Sequence, residues 1–189
     1  MLNNHKSIAG VDEVGRGAWA GPLVAAAVIL NLDFKLELKD SKQLNFKQRS
    51  FLAKQIKKAS YWAIGISSQH EIDKLGLQKA NILAAQRAIG NLAIKPSELR
   101  VDFISGFKHI INNKVIIRGD SQEISIMAAS IIAKDHRDAM MIEFAKHYKN
   151  YSFDIHKGYG TSLHQQELTK HGPSVLHRTS YAPVRKDLN

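Results

Sequence analysis

The chain contains no cysteine, which removes disulfide frameworks, thiolate zinc sites and thiol nucleophiles at once and suits a reducing compartment. Long apolar runs are missing as well. The longest, Leu23 to Leu30, falls well short of the roughly 20 residues of a bilayer span, so no membrane partner is expected. The N-terminal thirty residues lack the shape of a secretory signal, because Asp12, Glu13 and Arg16 interrupt them and Lys6 alone supplies a basic start. A cytoplasmic protein is the expectation. Acids are the scarcer charge: 17 Asp and Glu stand against 27 Lys and Arg, for a net charge of +10 with His neutral. Such a surface attracts polyanions, and nucleic acid is the leading partner. Absent motifs narrow the chemistry further. There is no G-x-S-x-G and no H-E-x-x-H, and Gly15, Gly17 and Gly21 are spaced one residue too widely for the dinucleotide fingerprint. After Gly10 and Gly15 comes Arg16-Gly17, where a phosphate loop needs Lys and then Ser or Thr. Seven of the nine His lie from His109 onward without zinc-ligand spacing, and they read as polar surface or phosphate neighbours.

What remains is an ordinary globular composition, 44% apolar and 23% charged over 189 residues, which excludes disorder, collagen and coiled coil. Residues 7–14 and 22–30 are short β-branched runs joined by a Gly-rich bend, and they predict two strands. Residues 45–59 predict a helix capped by Asn45 with Gln48 three positions on, burying Phe51, Leu52 and Ile56. Around it, residues 35–58 carry eight Lys and Arg against two acids. Further strands are expected at 61–67, 99–104 and 114–118, with helices at 77–92, 123–148 and 162–171. The long helix presents a stripe of Ile124, Met127, Ala128, Ile131 and Ile132. Ser162 and Gln165 have capping-box spacing at the start of the last helix, and Gly172-Pro173 stops it. Interleaved strands and helices make this an α/β chain with a mixed central sheet and a helical C-terminal part. No repeat or linker divides it, so residues 1–189 are expected to form a single domain, the helical part from about residue 150 packing on the same core.

Carboxylates carry the most chemical information. Asp12 and Glu13 are adjacent acids at the tip of an apolar strand, where desolvation and mutual repulsion call for an opposing cation. A divalent metal would supply one, although on these two residues alone a strand end facing water stays open. Gly15-Arg16-Gly17 follows, placing a guanidinium between two residues without side chains, so that backbone N–H groups can approach a sugar or phosphate. Asp102 lies in the strand-like LRVDFI, and Asp120 follows IIRG just before the long helix, where it could also serve only as a helix N-terminal acid. If the strands bearing these residues meet at one end of a sheet, four carboxylates converge and can hold two hard cations.

These motifs, taken in order, resemble the bacterial ribonuclease HII family, the type 2 ribonucleases H. The resemblance runs through GVDEVGRG at 10–17, AGPLVAAAVIL at 20–30, DSKQL at 40–44, VD at 101–102 and GD at 119–120. It continues through ISIMAASIIAKDHRD at 124–138, HKGYGT at 156–161 and HGPSVLHRTSYAPV at 171–184. It implies a ribonuclease H-like fold, a mixed sheet flanked by helices with a C-terminal helical region that helps hold a duplex. By this resemblance Asp12, Glu13, Asp102 and Asp120 are the catalytic acids and metal ligands, and Asp138 is a structural acid. Gly15, Arg16 and Gly17 would read the ribonucleotide at an RNA-to-DNA junction, Tyr159 would stack on the adjoining deoxyribose, and Ser41 and Lys42 would meet backbone phosphates. Two departures stand out. Ala18-Trp19 occupy positions where the family usually has Pro and an aliphatic residue, which is expected to loosen a turn; Phe103 occupies a position commonly held by Gly and adds bulk beside Asp102.

The implied activity is an endoribonuclease acting on the RNA strand of RNA/DNA hybrids and cutting 5′ to single ribonucleotides in duplex DNA. Two Mn²⁺ or Mg²⁺ ions would serve it, since either suits an all-oxygen site. The products would carry 3′-hydroxyl and 5′-phosphate ends, and the cellular role would be removal of misincorporated ribonucleotides during replication and repair. Nothing demands more than a monomer. One rival is a non-enzymatic, basic RNA binder on the same fold, which predicts salt-sensitive binding and no metal-dependent product. Another is a related nuclease acting on DNA alone, which Gly15-Arg16-Gly17 and Tyr159 disfavour.

Overall fold

The computed structural model describes residues 7–35, 38 and 44–186. Five strands form one sheet in the order β3-β2-β1-β4-β5: β1 (Ile8–Val14), β2 (Leu23–Leu30), β3 (Ser60–Ser67), β4 (Glu98–Asp102) and β5 (Asn113–Ile116). β1 pairs antiparallel with β2, and β2 with β3, whereas β1 with β4 and β4 with β5 run parallel. The mixed sheet is therefore as the sequence predicts. Residues 15–22 join β1 to β2, a longer connection carrying the helix Phe46–Lys58 joins β2 to β3, and the parallel half requires a crossover, supplied by α2 (Gln69–Leu75) and α3 (Leu77–Gly90) between β3 and β4.

β2 explains why one stretch is apolar without alternation: it is buried on both faces. Leu23, Ala25 and Ala27 join Ala9 and Val11 of β1 and Leu99 and Val101 of β4 against the alanines of α3, Ala80, Ala84, Ala85 and Ala88. Ala26 and Val28 point the other way. They meet Ala53 and Ile56 of α1 (Phe46–Lys58) and Ala128, Ala129, Ile131 and Ile132 of α4 (Ile124–His147). Small residues on both partners bring helix and sheet close. At Gly10 an added Cβ would lie 2.0 Å from the backbone carbon of Ser125, so α4 rests on bare β1 backbone.

Local signals mostly hold, with instructive exceptions. The Asn45–Gln48 capping box is formed, but Phe51 is 60% exposed and Ala53 takes the buried place expected for it. Ile124 is also exposed, sitting in the first turn of α4 before the helix reaches the sheet. The last predicted helix, α6 (Ser162–His171), is capped by Thr161, whose hydroxyl accepts the His164 N–H at 3.2 Å, rather than by Ser162. Three short helices escape the periodicity reading: α2, α5 (Phe153–His156) and α7 (Ala182–Lys186). Of these only α2 advertises itself, through a Ser68–Glu71 capping box.

Residues after 150 lie against α4 and the bend between β1 and β2. Tyr151, Phe153 and Leu176 cluster with Ala20 and Met141. Two buried arginines stitch this region together. Arg137 donates to the carbonyls of Ala20, Pro22 and Lys157, and Arg178 donates to those of Arg16 and Gly21. No helix among the described residues is long and apolar enough to cross a membrane.

Candidate active site

Parallel pairing brings the acids together. The β1–β4 register matches Val11 with Val101, which leaves Asp12 and Asp102 side by side one position further on. β5 runs parallel beyond β4 and leads into a single 3₁₀ turn, Gly119–Ser121, that carries Asp120. The Gly119 N–H donates to Asp102 Oδ1 at 2.8 Å and ties that turn to the end of β4. One carboxylate oxygen each from Asp12, Asp102 and Asp120 lies within 4.8 Å of the others.

Glu13 is not in this trio, and strand alternation gives the reason. Ala9 and Val11 face α3, so Glu13 does too, and the Asn81 side chain of α3 is among the groups acting on it. Gly10 and Asp12 face α4, where the Ser130 hydroxyl acts on Asp12. The three aspartates form the tight cluster, and Glu13 stands beside them, paired to Arg16 at 3.4 Å. The acids also sit within the strand rather than at its tip, because β1 stays paired with β2 through Val14.

All four acids line one cavity of about 430 Å³. Burial pushes the Asp12 carboxyl well above the usual range, reinforced by Glu13 and Asp102 and opposed by Ser130 and the Glu13 N–H, which donates at 2.7 Å. Burial raises Glu13 as well, against the pull of Arg16. Glu13 Oε2 is buried with no hydrogen-bond partner among the described residues. An orphaned acid oxygen next to three clustered carboxylates is the donor set a hard divalent cation requires. The residues fit such a metal.

The cavity rim is cationic: Arg16, Arg49 and Lys134 line it together with Tyr159. Neither Arg49 nor Lys134 was singled out by sequence, though Lys134 lies in the AKDHRD stretch. Asp138, 2% exposed, orients both, accepting from Arg49 at 2.8 Å and from Lys134 at 2.7 Å. Its place behind the rim suits the structural part that the sequence reading gave it. Tyr159 pairs with Ala18 through an isolated bridge, and its ring lies 5.4 Å from Lys134 Nζ and 5.2 Å from the Arg137 guanidinium. Gly15 has φ +94°, and a Cβ there would meet Arg137 Nε at 2.4 Å; around Gly17 the space is open. Ser41 and Lys42 lie outside the described residues.

The two departures turn out differently from expectation. The turn at Ala18-Trp19 is pinned, not loosened. Ala18 is fully buried, the Trp19 N–H donates to Gly158 O at 2.8 Å, and the indole lies 5.4 Å from the His164 ring. Phe103 is half exposed, and the Asp102 carboxylate beside it keeps its hydrogen bond to Gly119. Three histidines differ from the reading of most of them as surface groups. His156, His164 and His177 are buried, with His156 and His164 stacked at 4.2 Å.

A family model described as ribonuclease HII matches residues 9–184. The chain belongs to the ribonuclease HII family. It is 45% identical over 181 residues to the ribonuclease HII of Idiomarina loihiensis, covering 95% of this chain and 97% of that one. With that of Pelagibacter ubique it shares 46% over 183 residues, covering 95% and 97%. Among solved structures, the ribonuclease H2 of Pyrococcus horikoshii OT3 superimposes with a TM-score of 0.80 at 25% identity, covering 95% of this chain and 96% of that one. Membership decides between the rival readings: the protein is an endoribonuclease, a phosphodiester hydrolase, and not a basic binder that borrows the fold. The ribonuclease H-like fold is the expected one.

Proposed function

We propose that this chain hydrolyses the RNA strand of RNA/DNA hybrids and cuts on the 5′ side of single ribonucleotides in duplex DNA, leaving 3′-hydroxyl and 5′-phosphate ends. The observation that carries this is the trio of Asp12, Asp102 and Asp120 within 4.8 Å at the floor of a cation-rimmed cavity. Asp12, Asp102 and Asp120 would hold two Mg²⁺ or Mn²⁺ ions, with Glu13 Oε2 as the further ligand. The chemistry such ions supply when bound is a water of lowered pKa and positive charge opposite the leaving oxygen.

The remaining work falls to the protein. Arg16 is exposed between two glycines, and the open space around Gly17 admits a sugar to the backbone. There Gly15, Arg16 and Gly17 would read the 2′-hydroxyl, the group that separates RNA from DNA. Arg49 and Lys134, fixed by Asp138, would take flanking phosphates, and Ser41 and Lys42 would extend that contact. The Tyr159 ring, cushioned by two cations, would pack on the following deoxyribose, which lacks the hydroxyl that would disfavour an apolar face. In this reading residues 1–189 act as one unit, and the cellular task is removal of ribonucleotides from DNA.

The test is cleavage of a labelled DNA duplex containing one ribonucleotide, with Mn²⁺, Mg²⁺ or chelator, beside an all-DNA duplex. The expected result is a metal-dependent cut 5′ to the ribonucleotide and none in the control. Tight binding with no cut under any metal overturns the proposal.

A further inference from the structure

The cavity holding the acids is not the only hollow they share. A second, of about 340 Å³, is lined by Arg16, Asp102, Phe103, Ile117, Arg118 and Asp120. The two meet at Arg16, Asp102 and Asp120; Tyr159 lines one and Phe103 the other. The parallel register explains the second hollow. Asp102 pairs with Ile116, so Phe103 and Ile117 are neighbours one residue beyond the paired ends of β4 and β5. Phe103 is 50% exposed and Ile117 71% exposed. They make an apolar shelf beside the most polar site in the molecule. Arg118 is exposed in the left-handed region at φ +55° and, with Arg16, supplies positive charge at the shelf's edge.

A polyanion is the occupant that this charge selects, and a duplex offers the shelf a sugar before it offers a stacked base. In the proposed function the scissile phosphate lies at the carboxylates and the sugar that follows the ribonucleotide lies at Tyr159. On that reading, the hollow on the Phe103 side receives the nucleotide before the cut. We infer that Phe103 and Ile117 pack on the sugar of the nucleotide 5′ to the cleaved bond and favour deoxyribose over ribose there. A ribose would press its 2′-hydroxyl on phenyl and aliphatic surface, where a buried hydroxyl loses its water partners. The shelf would thus tune this enzyme toward isolated ribonucleotides, whose 5′ neighbour is DNA, relative to longer RNA tracts, whose 5′ neighbour is RNA.

The experiment compares two duplexes of one sequence, cut at the same ribonucleotide, that differ only in a deoxyribose or ribose on its 5′ side. KM and kcat are measured for wild type, Phe103→Gly and Ile117→Ser. Binding of both duplexes by an Asp120→Asn chain, with and without Phe103→Gly, is followed by fluorescence anisotropy. Wild type is expected to prefer the deoxyribose duplex, and Phe103→Gly to erode that preference roughly tenfold through KM and binding, the scale of one unpartnered hydroxyl. Thermal melting should barely change, because Phe103 is half exposed. A preference untouched by both substitutions, or an equal loss on both duplexes, overturns the shelf while leaving the proposed function standing. Wild type that cuts neither duplex overturns both.

Discussion

Asp102 and Gly119 are joined across seventeen residues by a 2.8 Å hydrogen bond from the glycine N–H to the carboxylate. That bond sets the distance between the last residue of β4 and the turn bearing Asp120, so two of the three clustered acids come as one positioned unit. Asp12 is brought beside them by strand register.

Removing the charge of Asp138 should uncouple the cationic rim. Arg49, 8% exposed, and Lys134 both depend on this buried carboxylate, and Arg49 Nε already lacks a partner among the described residues. Asp138→Asn leaves buried positive charge uncompensated and is expected to lower stability by about 3 kcal/mol in urea unfolding. Unchanged stability would mean that the pair contributes nothing beyond its surroundings.

A second expectation concerns acid. His177 Nδ1 accepts the Ser174 N–H at 2.9 Å, so His177 Nε2 carries the proton and donates to His164 Nε2 at 3.0 Å. His164 Nδ1 is then left to donate to Tyr159 O at 3.0 Å. Both rings must be neutral. Burial first, then neighbouring histidines, pushes each pKa down to about 4. Unfolded histidines titrate near 6.5, so between pH 6.5 and about 4 the unfolded chain binds protons the folded chain refuses. Stability should be full above 6.5 and fall as pH drops through that window, read as a declining melting temperature. His164→Asn, which keeps a donor for Tyr159 O, should flatten the decline; an unaltered slope would refute the assignment.

Tyr159 offers a third check. Tyr159→Phe should keep its packing, whereas Tyr159→Ala should raise KM for a single-ribonucleotide duplex about tenfold, the scale of one lost aromatic contact to a nucleotide. Equal losses in both variants would instead point to the hydroxyl.

Gly10→Ala tests how closely α4 approaches the sheet. Its new Cβ would fall 2.0 Å from Ser125 backbone, and neither β1 nor α4 can withdraw without disturbing the acids. Destabilisation of about 3 kcal/mol or more is expected, at the upper end of overpacking. A variant melting like the wild type would show that the helix can shift.

Much of this was legible in the chain, for physical reasons that name its limits. β2 announced itself because burial on both faces makes an unbroken apolar run, and α1 because Asn45 and Gln48 cap it reciprocally. Asp12 and Asp102 were visible as charges in apolar strands. Glu13 was seen, but not its separation from the trio, which follows from alternation and needs the positions of α3 and α4. Arg49 and Lys134 were lost in a basic background, since only the buried Asp138 distinguishes them from other cations. His164 and His177 misled because burial of a neutral ring depends on tautomer partners such as Ser174 and Tyr159 O that no spacing reveals. Helices of four to seven residues, such as α2, α5 and α7, are too short to show a period.

The most direct measurement pairs cleavage with binding for Asp12→Asn on a duplex containing one ribonucleotide. The account predicts a loss of at least about a hundredfold in kcat with Mg²⁺ or Mn²⁺, the scale of losing charge stabilisation at the reacting phosphate, while duplex affinity changes little. Wild-type turnover by the variant would contradict it, because the carboxylate cluster would then not be where the bond is broken.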